Sequence, residues 1–199
     1  MGFTRHATDL ISKKIGQVTK CGATDVAKEF PASSAWVSTF GLCVIFQNHP
    51  PAENRSYALQ FVRRVETAFA EYSRASDQLH YLVNSSQHRW SPYFSALYHF
   101  EAAISLLYLA YDGTRKQLQD KFFTGGDGSD LDRLNKIYNA SKHQIASGEQ
   151  TLWITNDGVN ADGTSISFVE LEDLMRDYGR IADRIINLEV EPATGAERT

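Results

Sequence analysis

Apolar residues recur along most of this chain at the three- and four-residue spacing of amphipathic helices. From Ala52 to Val83 the apolar positions alternate steps of four and three with one polar break. This pattern predicts a long helix with a narrow buried stripe. A second series from Tyr93 to Tyr111 spreads over a broad arc and extends towards Phe123. The broad arc predicts that this second helix is the central one of the fold.

Polar residues mark the start and the end of the central helix. Ser91 is a residue type that caps helices, and Pro92 fits the first turn, where a missing N–H costs nothing. The Gly-Gly-Asp-Gly run at 125–128 ends the pattern. This run lacks the order of a phosphate loop and follows no predicted strand, so it does not predict a nucleotide site.

Two further helices are predicted from capping signals. Ser129 with Asp132 resembles a capping box and opens a helix over 130–146. Ser167 with Glu170 forms a better box ahead of the last helix. The buried stripe of that last helix is predicted to consist of Leu171, Leu174, Met175, Tyr178, Ile181, Ala182, Ile185 and Leu188.

The segment before the last helix has the pattern of a small β-hairpin, with an ordered loop as the alternative. Residues 151–155 and 165–168 flank two Asp-Gly pairs, at 157/158 and 162/163, and such pairs are typical of tight turns. We expect Trp153 to pin this hairpin to the helices.

The first 50 residues give weaker signals. A weak helix is predicted over 9–20. Residues 35–46 are apolar all round, which predicts a short buried helix, with a buried strand as the alternative. The Asn-His-Pro-Pro sequence at 48–51 ends that element.

These elements predict a mainly α fold, an up-and-down bundle of four or five principal helices with a small β-hairpin before the C-terminal helix. At 199 residues the chain fits one domain. Within it we expect a weakly packed N-terminal segment over 1–30, a core bundle over 52–188 and a frayed tail over 189–199.

Composition narrows the choice of partners. Twenty basic and 24 acidic residues give a net charge of −4, so no global positive field favours nucleic acid or anionic membrane. Two cysteines without zinc spacing indicate a reducing compartment. No signal-peptide core occurs near the N-terminus. We therefore expect a cytoplasmic protein without membrane contact and without a cofactor. The 11 Phe, 9 Tyr and 3 Trp suit oligomer interfaces.

The most informative chemistry lies on the helix over 130–146. At 100° per residue, Lys136, Asn139 and His143 fall on the side opposite the apolar stripe. Asn139 and His143 are one turn apart, with Lys142 close by. An imidazole, an amide and an ammonium together meet the needs of metal-free RNA cleavage. An ordinary solvated helix surface is the alternative.

The Asn-x-x-Lys-His step near the end of this helix, within an apolar helical bundle, resembles the HEPN superfamily of small α-helical proteins. Many members are ribonucleases, toxins of toxin–antitoxin pairs or defence proteins, with a site formed where two subunits meet. Their usual signature is an Arg, often followed by a polar residue, then four to six residues and a His. Here Arg133 stands ten residues before His143, a rise of roughly 15 Å, and Asn139 takes the place of the Arg.

Glu101 is a second candidate, because it lies within the apolar arc of the central helix. A buried carboxylate must be paired. Proton transfer or metal binding is one role for it, and a hydrogen bond to a Tyr or Arg of another helix is the structural alternative. The sequence contains no Glu-x-x-His and no HExxH, so we predict no metal site.

Two functional hypotheses follow. The first is a HEPN-like RNA-associated protein, which is either a metal-independent endoribonuclease or a relative with weakened catalysis. It would form a homodimer around His143 and bind RNA or an antitoxin. The second is a non-enzymatic helical module that binds another protein or a second copy. A basic cleft around His143 would favour the first, and an exposed apolar patch elsewhere would favour the second.

Overall fold

The computed structural model describes residues 2–86, 89–118, 123–147, 152–161 and 163–187, with side chains for all of these except 2–7, 117–118 and 143–147. Its helices are α1 (Gly2–Gln17), α2 (Trp36–Gln47), α3 (Arg55–Asn84), α4 (Trp90–Leu118), α5 (Asp130–Ser147) and α6 (Phe168–Asn187). Its strands are β1 (Leu152–Ile154), β2 (Gly158–Ala161) and β3 (Thr164–Ser167). Short 3₁₀ turns lie at Val26–Glu29 and Ser33–Ala35. The predicted mainly helical bundle with a small sheet before the last helix is confirmed.

Helices α3 and α4 form the antiparallel pair at the centre of the bundle. The Arg64 guanidinium donates to the Leu109 carbonyl at 2.6 Å near one end, and the Glu71 carboxylate lies 2.6 Å from the His99 ring near the middle. The predicted stripe of α3 is buried, including its one polar member, Ser76.

Helix α6 begins at the predicted capping box. The Ser167 backbone N–H donates to the Glu170 carboxylate at 2.8 Å, and the Glu170 N–H donates to the Ser167 hydroxyl at 3.2 Å. The two side chains thus satisfy donors that the first turn of a helix leaves open. The apolar side of α6 then packs against α2 and α3.

The sheet has three strands where a hairpin of two was predicted. Its order is β1-β2-β3, antiparallel throughout, with Ile154 opposite Val159 and Val159 opposite Ile166. Residues 158–161, predicted as loop, are the middle strand, which pairs with β1 on one side and with β3 on the other. The Ile154 N–H donates to the Tyr93 hydroxyl at 3.0 Å, which fixes the sheet to α4.

The N-terminal segment is packed more closely than predicted. Beyond α1, the side chains of Val18, Ala23 and Val26 are buried in the core. The Asn156 side chain accepts from the N–H groups of Thr19 and Lys20 at 2.8 and 3.0 Å. The N-terminal segment is therefore held in place by contacts with the sheet, some 136 residues away in sequence. Local sequence patterns do not reveal contacts of that range.

Over the described residues, no helix is both long enough and apolar enough to cross a bilayer. The predicted frayed tail, 189–199, lies outside the described residues.

Candidate functional site

The polar side of α5 faces outwards at Lys136 and Asn139, as the helical wheel predicts. Lys136, Asn139 and Lys142 are exposed, whereas Leu134 and Ile137 on the opposite side are buried. The Asn139 amide donates to the Asn135 side chain, one turn earlier, at 3.0 Å. The Lys142 ammonium lies 6.0 Å from the centre of the Tyr138 ring. The backbone at His143 is helical, but its side chain lies outside the described residues.

Asp132, by contrast, is buried although the wheel places it on the polar side. Only 1% of its surface is exposed. Its carboxylate accepts from the N–H groups of Gly126 and Gly128 at 2.8 and 3.2 Å and from the Lys136 ammonium at 2.7 Å. These bonds, the Gly126 N–H first, lower the pKa of Asp132. The amides of the Gly-rich run are thus occupied by a carboxylate of the chain itself.

The two basic side chains in the first half of α5 are neutralised within the fold. Lys136 is paired with Asp132. The Arg133 guanidinium binds the carboxylates of Asp130 and Glu170, the latter at 2.6 Å. Arg133 therefore joins α5 to α6, and its charge is not directed at His143. The positive charges of Lys136 and Arg133 are thus both compensated by carboxylates.

Glu101 is half-buried, and its partner differs from the one predicted. The hydroxyl of Ser141 donates to the Glu101 carboxylate, where a Tyr or Arg was expected. This bond joins α4 to α5 one residue before the last described side chain of α5. Among the described residues, no group of three or more His, Cys, Asp and Glu side chains is placed to hold a metal ion.

A second buried carboxylate among the described residues is that of Glu172, which the sequence reasoning missed. Glu172 is 3% exposed. One of its oxygens accepts from the Thr24 N–H at 2.6 Å and from the Tyr72 hydroxyl at 2.7 Å, and the other accepts from the Thr24 hydroxyl at 2.7 Å. Burial, followed by this carboxylate, raises the pKa of Tyr72 well above its usual range. Glu172 thereby fastens the N-terminal segment to α3 and α6.

A sequence signal for Glu172 does exist. The buried positions of α6 include a strict series with steps of four and three, in which Glu172 is the one charged member: Phe168, Glu172, Met175, Gly179, Ala182 and Ile186. A carboxylate inside such a series is either buried and paired or breaks the stripe. The predicted stripe began at Leu171 and so passed over it.

Helix α2 carries the largest departure from the sequence-based expectation. It is helical as predicted, and Asn48 ends it in a left-handed conformation. The prediction that it is buried is wrong, because Trp36, Phe40 and Cys43 are its only buried residues, with Val37 and Val44 partly buried beside them. The Trp36 indole donates to Asp183 at 2.6 Å. Since α2 lies on the outside of α3 and α6, its other side is left uncovered by the part of the chain that the structure describes.

We call that uncovered side the α2 face; it consists of Ser38, Gly41, Leu42, Ile45 and Phe46. Leu42 is 54% exposed, Ile45 72% and Phe46 78%. These residues span one continuous arc opposite Trp36, Phe40 and Cys43. All twelve residues of α2 are uncharged. The α2 face is therefore a contiguous apolar surface in contact with solvent.

An apolar groove lies between α3, α4 and α6. It encloses about 290 Å³ and is lined by Tyr57, Phe61, Thr114, Ile181 and Ile185, among others. It is separate from the α2 face, because α4 lines it and α2 does not.

Searches of family models, curated proteins and solved structures found no match to this chain.

Proposed function

We propose that this chain is a protein-interaction module that binds its partner through the α2 face. The observation that carries the proposal is the exposure of Leu42, Ile45 and Phe46 side by side on an uncharged helix. Single exposed apolar residues are ordinary on protein surfaces, but contiguous apolar patches mark sites of association. Depletion of charge with enrichment of aromatic residues is also the composition of interface cores.

The comparison with α5 supports this choice between the two hypotheses. A nuclease that binds RNA through α5 needs positive charge there. Lys136 and Arg133 are instead paired with carboxylates. The two surfaces are also built on different neighbours, since α2 packs on α3 and α6, whereas α5 packs mainly on α4 and the sheet. The apolar patch thus lies apart from the predicted catalytic face.

Site-specific photocrosslinking in living cells tests the proposal. We expect a photoreactive phenylalanine analogue in place of Phe46 to give a discrete adduct on illumination, because the ring lies within the proposed interface. The same analogue in place of Tyr81, an aromatic residue of α3 that is 60% exposed, is the matched control and should give none. A folded protein that yields no adduct from position 46 contradicts the proposal.

RNA association of the HEPN-like type is the second candidate, and one observation favours it. Asn139 and Lys142 point outwards from the same turn of α5, and Lys142 contacts an aromatic ring. Phe94 and Tyr98 are exposed on α4, two turns and one turn before Glu101, which is bonded to α5. Exposed aromatic rings beside an ammonium suit single-stranded RNA, whose bases stack on such rings. A homodimer or an antitoxin would complete this site.

Substitution of His143 and Lys142 separates this candidate from the first. His143→Ala should abolish RNA cleavage without changing the unfolding temperature, because the imidazole is the proposed proton-transfer group. Lys142→Ala should reduce the salt dependence of RNA binding by about one counterion. Lys28→Ala, which removes a side chain that is 82% exposed on the N-terminal segment, is the control. Cleavage that survives His143→Ala rules the candidate out as a nuclease.

A further inference from the structure

The side chains of the α2 face increase in size from its N-terminal to its C-terminal half. Its N-terminal half presents the small residues Ser38 and Gly41, and its C-terminal half presents the large side chains Ile45 and Phe46, with Leu42 between them. A Cβ atom placed on Gly41 would meet no other atom within 4 Å. Gly41 therefore marks an open notch beside a ridge.

We propose that the occupant of the α2 face is the α2 face of a second copy, with the two helices antiparallel. The inference rests on the proposed function, since it names the partner of the same surface. In an antiparallel pair centred between Gly41 and Leu42, the large half of each helix lies against the small half of the other. Leu42 then fills the notch at Gly41 of the second copy, and Ile45 and Phe46 pack around Ser38 of the second copy.

Charge and symmetry agree with this occupant. A twofold axis brings identical residues together, so a charged face would oppose itself with like charge. Helix α2 has no charged residue between Trp36 and Gln47, and like-charge repulsion across the axis does not arise from it. The small-to-large order along the face makes it complementary to itself in the antiparallel arrangement, because a parallel pair would place ridge against ridge.

The exposed area of the α2 face indicates how strong the dimer is. Leu42, Ile45 and Phe46 expose on the order of 400 Å² in total, if a fully exposed large side chain presents roughly 200 Å². Two copies then bury on the order of 800 Å², which is below the size of standard stable interfaces. We therefore expect a weak dimer with a dissociation constant of roughly 1–100 µM.

Sedimentation of the purified full chain over a range of concentrations tests the inference. The wild-type protein should form dimers in the stated range, and Ile45→Lys should weaken dimerisation at least about tenfold. Gly41→Leu is the sharper variant. Its side chain meets open space in one copy and favours the helix, so thermal stability should not fall. It fills the notch, so dimerisation should be lost. A generic apolar contact would be strengthened by the same change.

Tyr81→Lys, which changes a comparably exposed ring on α3, is the matched control and should dimerise as the wild type does. Leu42→Cys tests the orientation, because residue 42 lies next to the twofold axis and should form a disulfide between copies under oxidation. Ser38→Cys, farther from the axis, should not. The wild type, with Cys21 and Cys43, serves as the background.

Three results would overturn the inference: a wild-type protein that stays monomeric at roughly 1 mM, a dimer that survives Ile45→Lys, or a dimer that survives Gly41→Leu. An adduct from position 46 to a different protein, or to residues 188–199 of the same chain, would also overturn it. The adduct to a different protein would leave the proposed function standing, whereas a lack of any adduct would remove both.

Discussion

Replacing Glu172 with alanine is expected to lower the free energy of unfolding by about 3–5 kcal/mol, the range for removal of one member of a buried charged network. The change leaves the Thr24 N–H, the Thr24 hydroxyl and the Tyr72 hydroxyl without the acceptor that they share. The stranded hydroxyl of the buried Tyr72 and the cavity left by the side chain both add to the loss. Urea denaturation followed by circular dichroism measures it.

A substitution at the next residue of the same helix is the control for this experiment. Asp173 is 62% exposed and pairs with Arg176, so Asp173→Ala should change the free energy of unfolding by less than about 0.5 kcal/mol. Glu172→Gln keeps the shape but exchanges one acceptor oxygen for an amide donor, and its loss should be intermediate. A Glu172→Ala protein within about 1 kcal/mol of the wild type would show that the network does not hold the N-terminal segment.

Substituting Gly158 with alanine is expected to cost about 3 kcal/mol, at the upper end of steric overpacking. A Cβ at this position would lie 2.1 Å from the Ile166 carbonyl oxygen and 2.8 Å from the Ser167 Cα. Both atoms belong to the backbone of the neighbouring strand, so β2 and β3 would have to separate where they are bonded. The unfolding temperature, measured by circular dichroism, should fall by several degrees.

Gly125→Ala is the matched control, because a Cβ at Gly125 meets nothing within 4 Å. It should leave the unfolding temperature within error of the wild type. Equal stability of the two variants would mean that the close approach of β2 and β3 at Gly158 is not required by the fold.

Local patterns predicted the elements of this fold well. The stripe of α3 and the capping box of Ser167 and Glu170 depend on residues three and four apart, and both are confirmed. The middle strand was missed because residues 158–161 are too short to show an alternating pattern. The burial of one side of α2 was overestimated, since an all-apolar sequence does not say how many neighbours the helix will have.

In the candidate site, too, local patterns predict some features, whereas others depend on distant contacts. The exposure of Lys136 and Asn139 follows from the helical period and is confirmed. The pairing of Lys136 with Asp132 is within reach of the four-residue spacing. The burial of Asp132 depends on how the loop at 125–128 folds back on it, and the partners of Glu172 lie 100 and 148 residues away. Contacts between residues so far apart in sequence cannot be predicted from the pattern of a single helix.

The way α6 holds the N-terminal third of the chain has a consequence during synthesis. Thr24, Trp36 and Cys43 each bond to a residue of α6 that is 143–148 positions later. A ribosome delivers α6 after all the other described elements, so these three bonds form only once α6 has emerged. The α3–α4 pair can close earlier, and the nascent chain therefore matures from its middle outwards.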